Sequence, residues 1–378
     1  MCICRTMRIL FHIIICVIAI ASIACNRAKS CEELPMQAHS YAEHIIVTEH
    51  EGYTRVDVKN PWDDSRILQS YILVPRHNEL PGNLPGATVI RTPIKSALVY
   101  SAVHANVMKE LGHVSVVKGV CDAQYFAISE ISEGLNDGSV INVGASMSPA
   151  TERIIALAPD VLILSPYQNA SYGDISRIGV PVVECADYME TSPLGRAEWI
   201  KLFGLLLDES EKADSIFNEV KLNYNRLKNL AIKVETKPKV LSETIINGTW
   251  YVPGGKSYMA RLFADAGAEY AWSKVDTSGS IPLDMPRVLE KAHDADVWLI
   301  KSYDDEFSYS KLKAQHALNA QFKAFRSQNI YFCNTARTTF FQDFPFHPEI
   351  LLKEYISIFH SQLIADYKPT YFKPLKNE

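Results

Sequence analysis

Residues 141–167 read INVGASMSPATERIIALAPDVLILSPY. A small loop, an amphipathic helix and a buried strand follow one another here, and that order decides the fold. The loop closes at Ser148-Pro149, a helix-start signal, and Glu152 falls in the first turn. Apolar residues at Ile154, Ile155, Leu157 and Ala158 mark one helical face. Pro159-Asp160 break the helix, and Val161, Leu162, Ile163 and Leu164 follow as an unbroken apolar run. Such a run directly after a helix predicts a parallel strand covered on both faces. Ligands bind at the carboxyl tips of such strands, so Ser165, Pro166 and Tyr167 are site candidates.

The same alternation extends in both directions. Strands are expected at 97–101, 114–120 and 180–184, with a helix over 105–111 stopped by Gly112. Upstream, 45–74 alternates apolar with polar residues, and Glu51-Gly52 can turn a hairpin. This stretch is expected to pack on the first lobe as an extension. Downstream, an apolar stripe in steps of three and four predicts a helix over 210–233. At 1.5 Å per residue it is ~35 Å long, enough to cross from one lobe to another. A crossing helix also limits hinge opening. Strands near 240–246, 297–300 and 330–333 alternate with helices near 258–266, 288–292 and 348–360, the last opened by Pro348. The expected fold class is α/β, with two lobes built on mostly parallel central sheets and joined by one long helix. The expected division is a first lobe over 45–192, connecting helices over 193–236, a second lobe over 237–363 and a tail over 364–378.

The amino end reads as a targeting segment. Arg5 and Arg8 precede an apolar core at 9–20, which is shorter than the ~20 residues a spanning helix needs. A signal peptide over 1–24 is expected. Ala21, Ser22, Ile23 and Ala24 before Cys25 resemble a bacterial lipoprotein signal, although Ser22 replaces the usual leucine. That resemblance implies acylation of Cys25 and a lipidated tether over 25–44, holding the folded part at a membrane. Losing Arg5 and Arg8 with the leader moves the formal charge from −5 to −7. Such a charge argues against a nucleic-acid partner. Cys31, Cys121, Cys185 and Cys333 are widely spaced and contain no CxxC pair, so neither zinc nor a redox motif is supported, and no disulfide pairing can be chosen.

The chain has no GxSxG, HExxH or GxxxxGK[ST]. The expectation is therefore a binding protein, not an enzyme, with no cofactor of its own. What gathers at the expected strand tips is aromatic. The first lobe offers Asp122, Gln124, Tyr125, Tyr167, Tyr188 and Met189; the second offers Trp250, Tyr251 and Tyr303, with Phe340 and Phe341 further along. Aromatic faces with polar rims suit a large, multi-ring ligand. Arg337 is the one arginine candidate, and the lack of a basic cluster at the tips favours a near-neutral ligand over a strongly anionic one.

Several collinear phrases carry a family resemblance. The segment TERIIALAPDVLI is similar to one in periplasmic binding proteins that serve iron-chelate and vitamin B12 ABC importers, the class with a single helical hinge. Glu110-Leu111-Gly112, the stretch 117–122, Ile178-Gly179-Val180-Pro181-Val182, Tyr251-Val252-Pro253-Gly254-Gly255 and the stretch 347–352 resemble further family motifs in the same order. The resemblance covers 95–363. It implies a periplasm-facing or cell-surface receptor that takes a metal chelate, cobalamin or another corrinoid being favoured over an anionic ferric siderophore, with haem open through an axial Tyr167 or His104, and delivers it to an ABC permease and its ATPase. It also places Ser101 and His104 where the family's first strand ends before the ligand, and it implies that Glu152 docks on the permease. The second docking position is less well matched: Pro286 stands where the family often has Glu, and Asp284 is the substitute. A relative of the same architecture binds bare zinc or manganese, for which His104 is the single histidine at a strand tip.

Overall fold

The computed structural model describes residues 40–80, 82, 86–304 and 307–377. The expected leader, Cys25 and Cys31 lie outside the described residues, as do Pro81, Pro85, Asp305 and Glu306. Two five-stranded sheets organise the rest. In the first lobe the spatial order is Val182–Glu184, Val161–Leu164, Ala97–Val99, Val117–Val120 and Ile141–Asn142, all parallel. In the second it is Glu269–Tyr270, Lys239–Ser242, Val297–Ser302 and Ile330–Asn334, all parallel, closed by an antiparallel Lys373–Pro374. The fold class is the expected one.

All four residues of Val161–Leu164 are buried, as their unbroken apolar run predicts. The helix before it is shorter than its sequence suggests, spanning Thr151–Leu157. Ser148–Pro149 instead pairs with Gly144–Ala145 as a small antiparallel ladder, which delays the helix start. Ile155 is 59% exposed, whereas Ile154 is buried, because a seven-residue helix turns only a narrow stripe to the sheet.

The amino-terminal extension is a four-stranded sheet. Ile45–His50 and Tyr53–Lys59 form the expected hairpin, turned at Gly52 with φ +88°. Ile67–Pro75 adds an antiparallel strand, and Thr88–Thr92 pairs parallel to that. Tyr71 joins this sheet to the first lobe. Its hydroxyl accepts from the N–H of Glu184 at 2.8 Å and donates to the carbonyl of Val182 at 3.0 Å. A side chain thus occupies the place of a neighbouring strand along the lobe's edge.

Buried carboxylates hold both described ends. Glu198 accepts the N–H groups of Tyr41 and Ala42 at 2.6 and 2.9 Å, and Glu190 accepts those of Glu43 and His44 at 2.8 and 3.0 Å. Glu354, fully buried, accepts the N–H groups of Thr370, Tyr371 and Phe372 and the Tyr367 hydroxyl. Backbone donors that would otherwise be buried unpaired are satisfied this way.

The helix Ser210–Ala231 crosses between the lobes. Just before its first turn, Glu209 bonds His113 of the first lobe at 2.8 Å. Towards its end, Tyr224 and Lys228 reach Asp265 of the second at 2.8 and 3.1 Å. At the junction, the helix Pro193–Glu198 buries Arg196, whose Nε donates to Asp187 Oδ2 at 3.0 Å. Its guanidinium lies 4.9 Å from the ring centre of Tyr258 and 5.8 Å from that of Phe344. One buried cation therefore touches both lobes.

A second bridge runs through His347. Its Nε2 meets Glu110 of the first lobe at 2.9 Å, and its Nδ1 meets Glu349 at 3.1 Å. Burial alone would lower the imidazole, but the hydrogen bonds from Glu110 and Glu349 outweigh it and lift it to about 10. A pKa raised from 6.5 stabilises the folded state fully below pH 6.5 and loses that contribution as pH climbs towards about 10. The expected result is that His347→Gln destabilises the protein by more at pH 6 than at pH 10, measured by urea unfolding at both pH values. An equal loss at both would show that the imidazolium charge contributes nothing.

Candidate functional site

The carboxyl tips of both sheets converge on the lobe junction. Val99 leads into Tyr100 and Ser101, Val120 into Asp122, Leu164 into Ser165, Ser302 into Tyr303, and Asn334 into Thr335. Two adjoining cavities form there. One, of about 360 Å³, lies between the lobes, with Asp122, Gln124 and Tyr125 on one side and Tyr303, Thr335 and Phe341 on the other. The second, of about 470 Å³, lies in the first lobe against Ser165, Tyr167 and Tyr172. Tyr100 and Ser101 line both, so the two form one cleft with two arms.

Tyr125 and Tyr303 are its pincers. Their ring centres are 6.4 Å apart at 51°, and each ring is more than half exposed. Gln342 closes the floor by donating from Nε2 to the Tyr125 carbonyl at 3.1 Å. Burial, and then the neighbouring Tyr125, raise the Tyr303 phenol, so it stays protonated near neutral pH. The first-lobe arm is rich in hydroxyls, with Ser146, Ser148, Thr151, Ser165 and Ser171 along its wall. Tyr167, 46% exposed, faces the same space. Such a surface offers ring faces and neutral hydrogen-bonding groups.

The sequence candidates divide. Ser101, Asp122, Gln124, Tyr125, Tyr167 and Tyr303 come together around the cleft. Five others do not. His104 falls in the first turn of Ala102–Glu110 and is buried, with Nε2 on Asp187 at 3.0 Å; the helix turns it inward. Trp250 is fully buried, stacked on Trp298 at 5.5 Å, and its Nε1 donates to the Ser242 carbonyl. Strand alternation sends the next residue, Tyr251, outward, away from either arm of the cleft. Tyr188 is half-buried, its hydroxyl tied to the Pro166 carbonyl at 2.6 Å. Met189 lines a separate groove near Lys256 and Arg261. Arg337 is exposed and lines neither arm, its N–H held by Asn334. Phe340 is buried while Phe341 lines the cleft. Tyr100, Tyr172 and the 146–151 hydroxyls were not foreseen; the small-residue run GASMS was the one available signal.

Cys121, Cys185 and Cys333 are buried free thiols. Among the described residues no cluster of His, Cys, Asp and Glu could hold a metal ion, and no helix is long and apolar enough to cross a membrane. A bare-metal site at His104 is thus not supported by its surroundings.

Two parallel-sheet lobes, a crossing helix and a cleft at facing strand tips define a two-lobed solute-binding protein. The chain belongs to the periplasmic binding protein family, which matches residues 115–336. The family is one of solute-binding transport proteins, not of enzymes. A lipoprotein of Methanocaldococcus jannaschii is 28% identical over 225 residues, 57% of this chain and 54% of that protein. The chain therefore spans about half the length of that relative. Among solved structures, an ABC-type Fe3+-hydroxamate transport system from Saccharomonospora viridis matches with a TM-score of 0.55 and 17% identity, over 70% of this chain and 93% of the other. A periplasmic heme binding protein from Pseudomonas aeruginosa matches with a TM-score of 0.55 and 18% identity, over 75% and 97%. At these identities both show the fold alone.

Proposed function

We propose that this chain is the lipid-anchored receptor of an ABC importer. It captures a metal chelate, a corrinoid such as cobalamin or a ferric siderophore, between its lobes and hands it to the permease. The observation that carries this reading is the pair Tyr125 and Tyr303, half-exposed rings facing each other from opposite lobes. A multi-ring ligand held there contacts both lobes at once and stabilises their closed arrangement. Acylation of Cys25 would hold the receptor on the outer side of a membrane. The test is titration of the purified protein with cyanocobalamin, ferric trihydroxamates and haemin, followed by calorimetry and visible absorbance. Binding of none of them would sink the chelate reading. Haem is the second reading, favoured by Tyr167, whose phenol faces the cleft and can offer an axial oxygen. A Soret shift abolished by Tyr167→Phe would select it.

The docking reading rests on two exposed carboxylates. Glu152 sits in the first turn of Thr151–Leu157, one residue after the cleft-lining Thr151. Asp284 caps Met285–Ala292, accepting the Arg287 N–H at 3.1 Å. Both helices follow a small antiparallel ladder, so the two acids occupy equivalent places in the two lobes. Glu152→Ala should lower uptake by whole cells about tenfold while leaving solution affinity within about twofold of the parent. A matching loss of affinity in the purified protein would remove Glu152 from a docking role.

A further inference from the structure

The charge of the cleft narrows its cargo. Among the described residues, no lysine, arginine or histidine lines either arm. The charged groups there are Asp122 and Asp174. Asp174 is largely exposed and paired with Arg177 at 3.3 Å. Asp122 has no ion pair among the described residues. Lys311, Lys373 and Lys376 line a neighbouring hollow under the carboxyl-terminal tail, which meets the interlobe arm at Thr338. Lys311 is itself paired with Asp304 at 3.3 Å.

The backbone holds Asp122 in an uncommon conformation. Its φ is +48°, in the left-handed region that residues with a Cβ seldom adopt. Its N–H donates to the Gly144 carbonyl at 2.9 Å, and its Oδ2 accepts from the Ser146 N–H at 3.1 Å. Oδ1 accepts no hydrogen bond from a described residue. One oxygen is thus fixed by the 144–149 ladder, and Asp122 lines the interlobe arm on the strand tip that carries Gln124 and Tyr125.

We propose that Asp122 makes the cleft selective by charge, admitting metal chelates of zero or positive net charge and rejecting anionic ones. This rests on the chelate reading above. An anionic chelate entering here loses water without gaining a cation, and meets an uncompensated carboxylate at close range. A neutral chelate pays no such penalty, because hydroxyls and ring faces supply its contacts. A cationic one gains the free Asp122 oxygen as a partner.

The experiment titrates the purified protein and Asp122→Asn with three ferric chelates, cationic ferrioxamine B, neutral ferrichrome and trianionic ferric enterobactin, and with neutral cyanocobalamin. The parent should bind at least one neutral or cationic probe about 100-fold more tightly than the anionic one. Asp122→Asn can still accept the Ser146 N–H, and matching urea midpoints of the two proteins serve as the folding control. Cationic binding should fall about tenfold, and the penalty against the anionic probe should shrink. Anionic binding as tight as neutral binding overturns the charge rule while leaving the chelate reading intact. Unchanged discrimination in Asp122→Asn overturns the role of Asp122. Binding of no probe by the parent overturns the chelate reading itself, and with it this inference.

Discussion

Arg196→Ala should unfold in urea with about 3–5 kcal/mol less stability than the parent, the largest single-residue loss expected in this protein. Arg196 is buried at the lobe junction against Asp187, Tyr258 and Phe344. Burial by itself would raise the Asp187 carboxyl, yet the Arg196 charge and the His104 hydrogen bond hold it below its ordinary value. Asp187 therefore depends on Arg196 to stay ionised out of water. Truncating Arg196 leaves a buried carboxylate with one imidazole and a cavity between two lobes. Arg196→Met with Asp187→Asn removes both charges and keeps most of the volume, so it should recover a large part of the loss. A single variant within about 1 kcal/mol of the parent would show that this ion pair contributes little.

The second large effect is on binding. Tyr125→Ala and Tyr303→Ala should each weaken the proposed chelate about tenfold, and the double variant about 100-fold. Both rings are more than half exposed, so folding stability should change by less than about 0.5 kcal/mol. A loss in affinity without a loss in stability separates a ligand contact from a core contact. The double variant measures coupling as well. A combined loss of about 100-fold means that the rings contribute independently, whereas a double variant no weaker than either single one means that the ligand must touch both at once. Parent-like affinity in the double variant would dismiss the pincers.

Much of the fold was legible because burial leaves a pattern. The run Val161–Leu164 announces a strand covered on both faces, and the stripe through Ala213, Phe217, Val220 and Tyr224 announces the crossing helix. Strand-tip logic then brings Tyr125, Tyr167 and Tyr303 to one place. The misplaced residues share a cause. His104 and Trp250 lie one residue from less buried neighbours, and a single step turns the side chain by about 100° on a helix and to the opposite face on a strand. For Trp250 and Tyr251 the alternation was visible, but it does not say which of the two points inward. Arg196 was illegible for a different reason. Its partners come from residues 187, 258 and 344, and only the docking of two lobes brings them together. The strand Thr88–Thr92 was hidden because its parallel pairing with Ile67–Pro75 leaves no hairpin signature.

The clasp on residues 41–44 has a consequence for the order of assembly. Tyr41 and Ala42 find their acceptor on Glu198, 157 and 156 positions later, and Tyr71 finds its own at Val182, 111 positions later. A chain that emerges amino end first exposes its opening sheet long before those partners exist. The hairpin 45–59 can close on its own, since its contacts are local, but its docking must wait for the first lobe to be complete. During that interval an edge-exposed sheet is the segment most open to wrong pairing. The protein's most vulnerable moment thus falls midway through its emergence, when residues 45–75 are out and residue 198 is not.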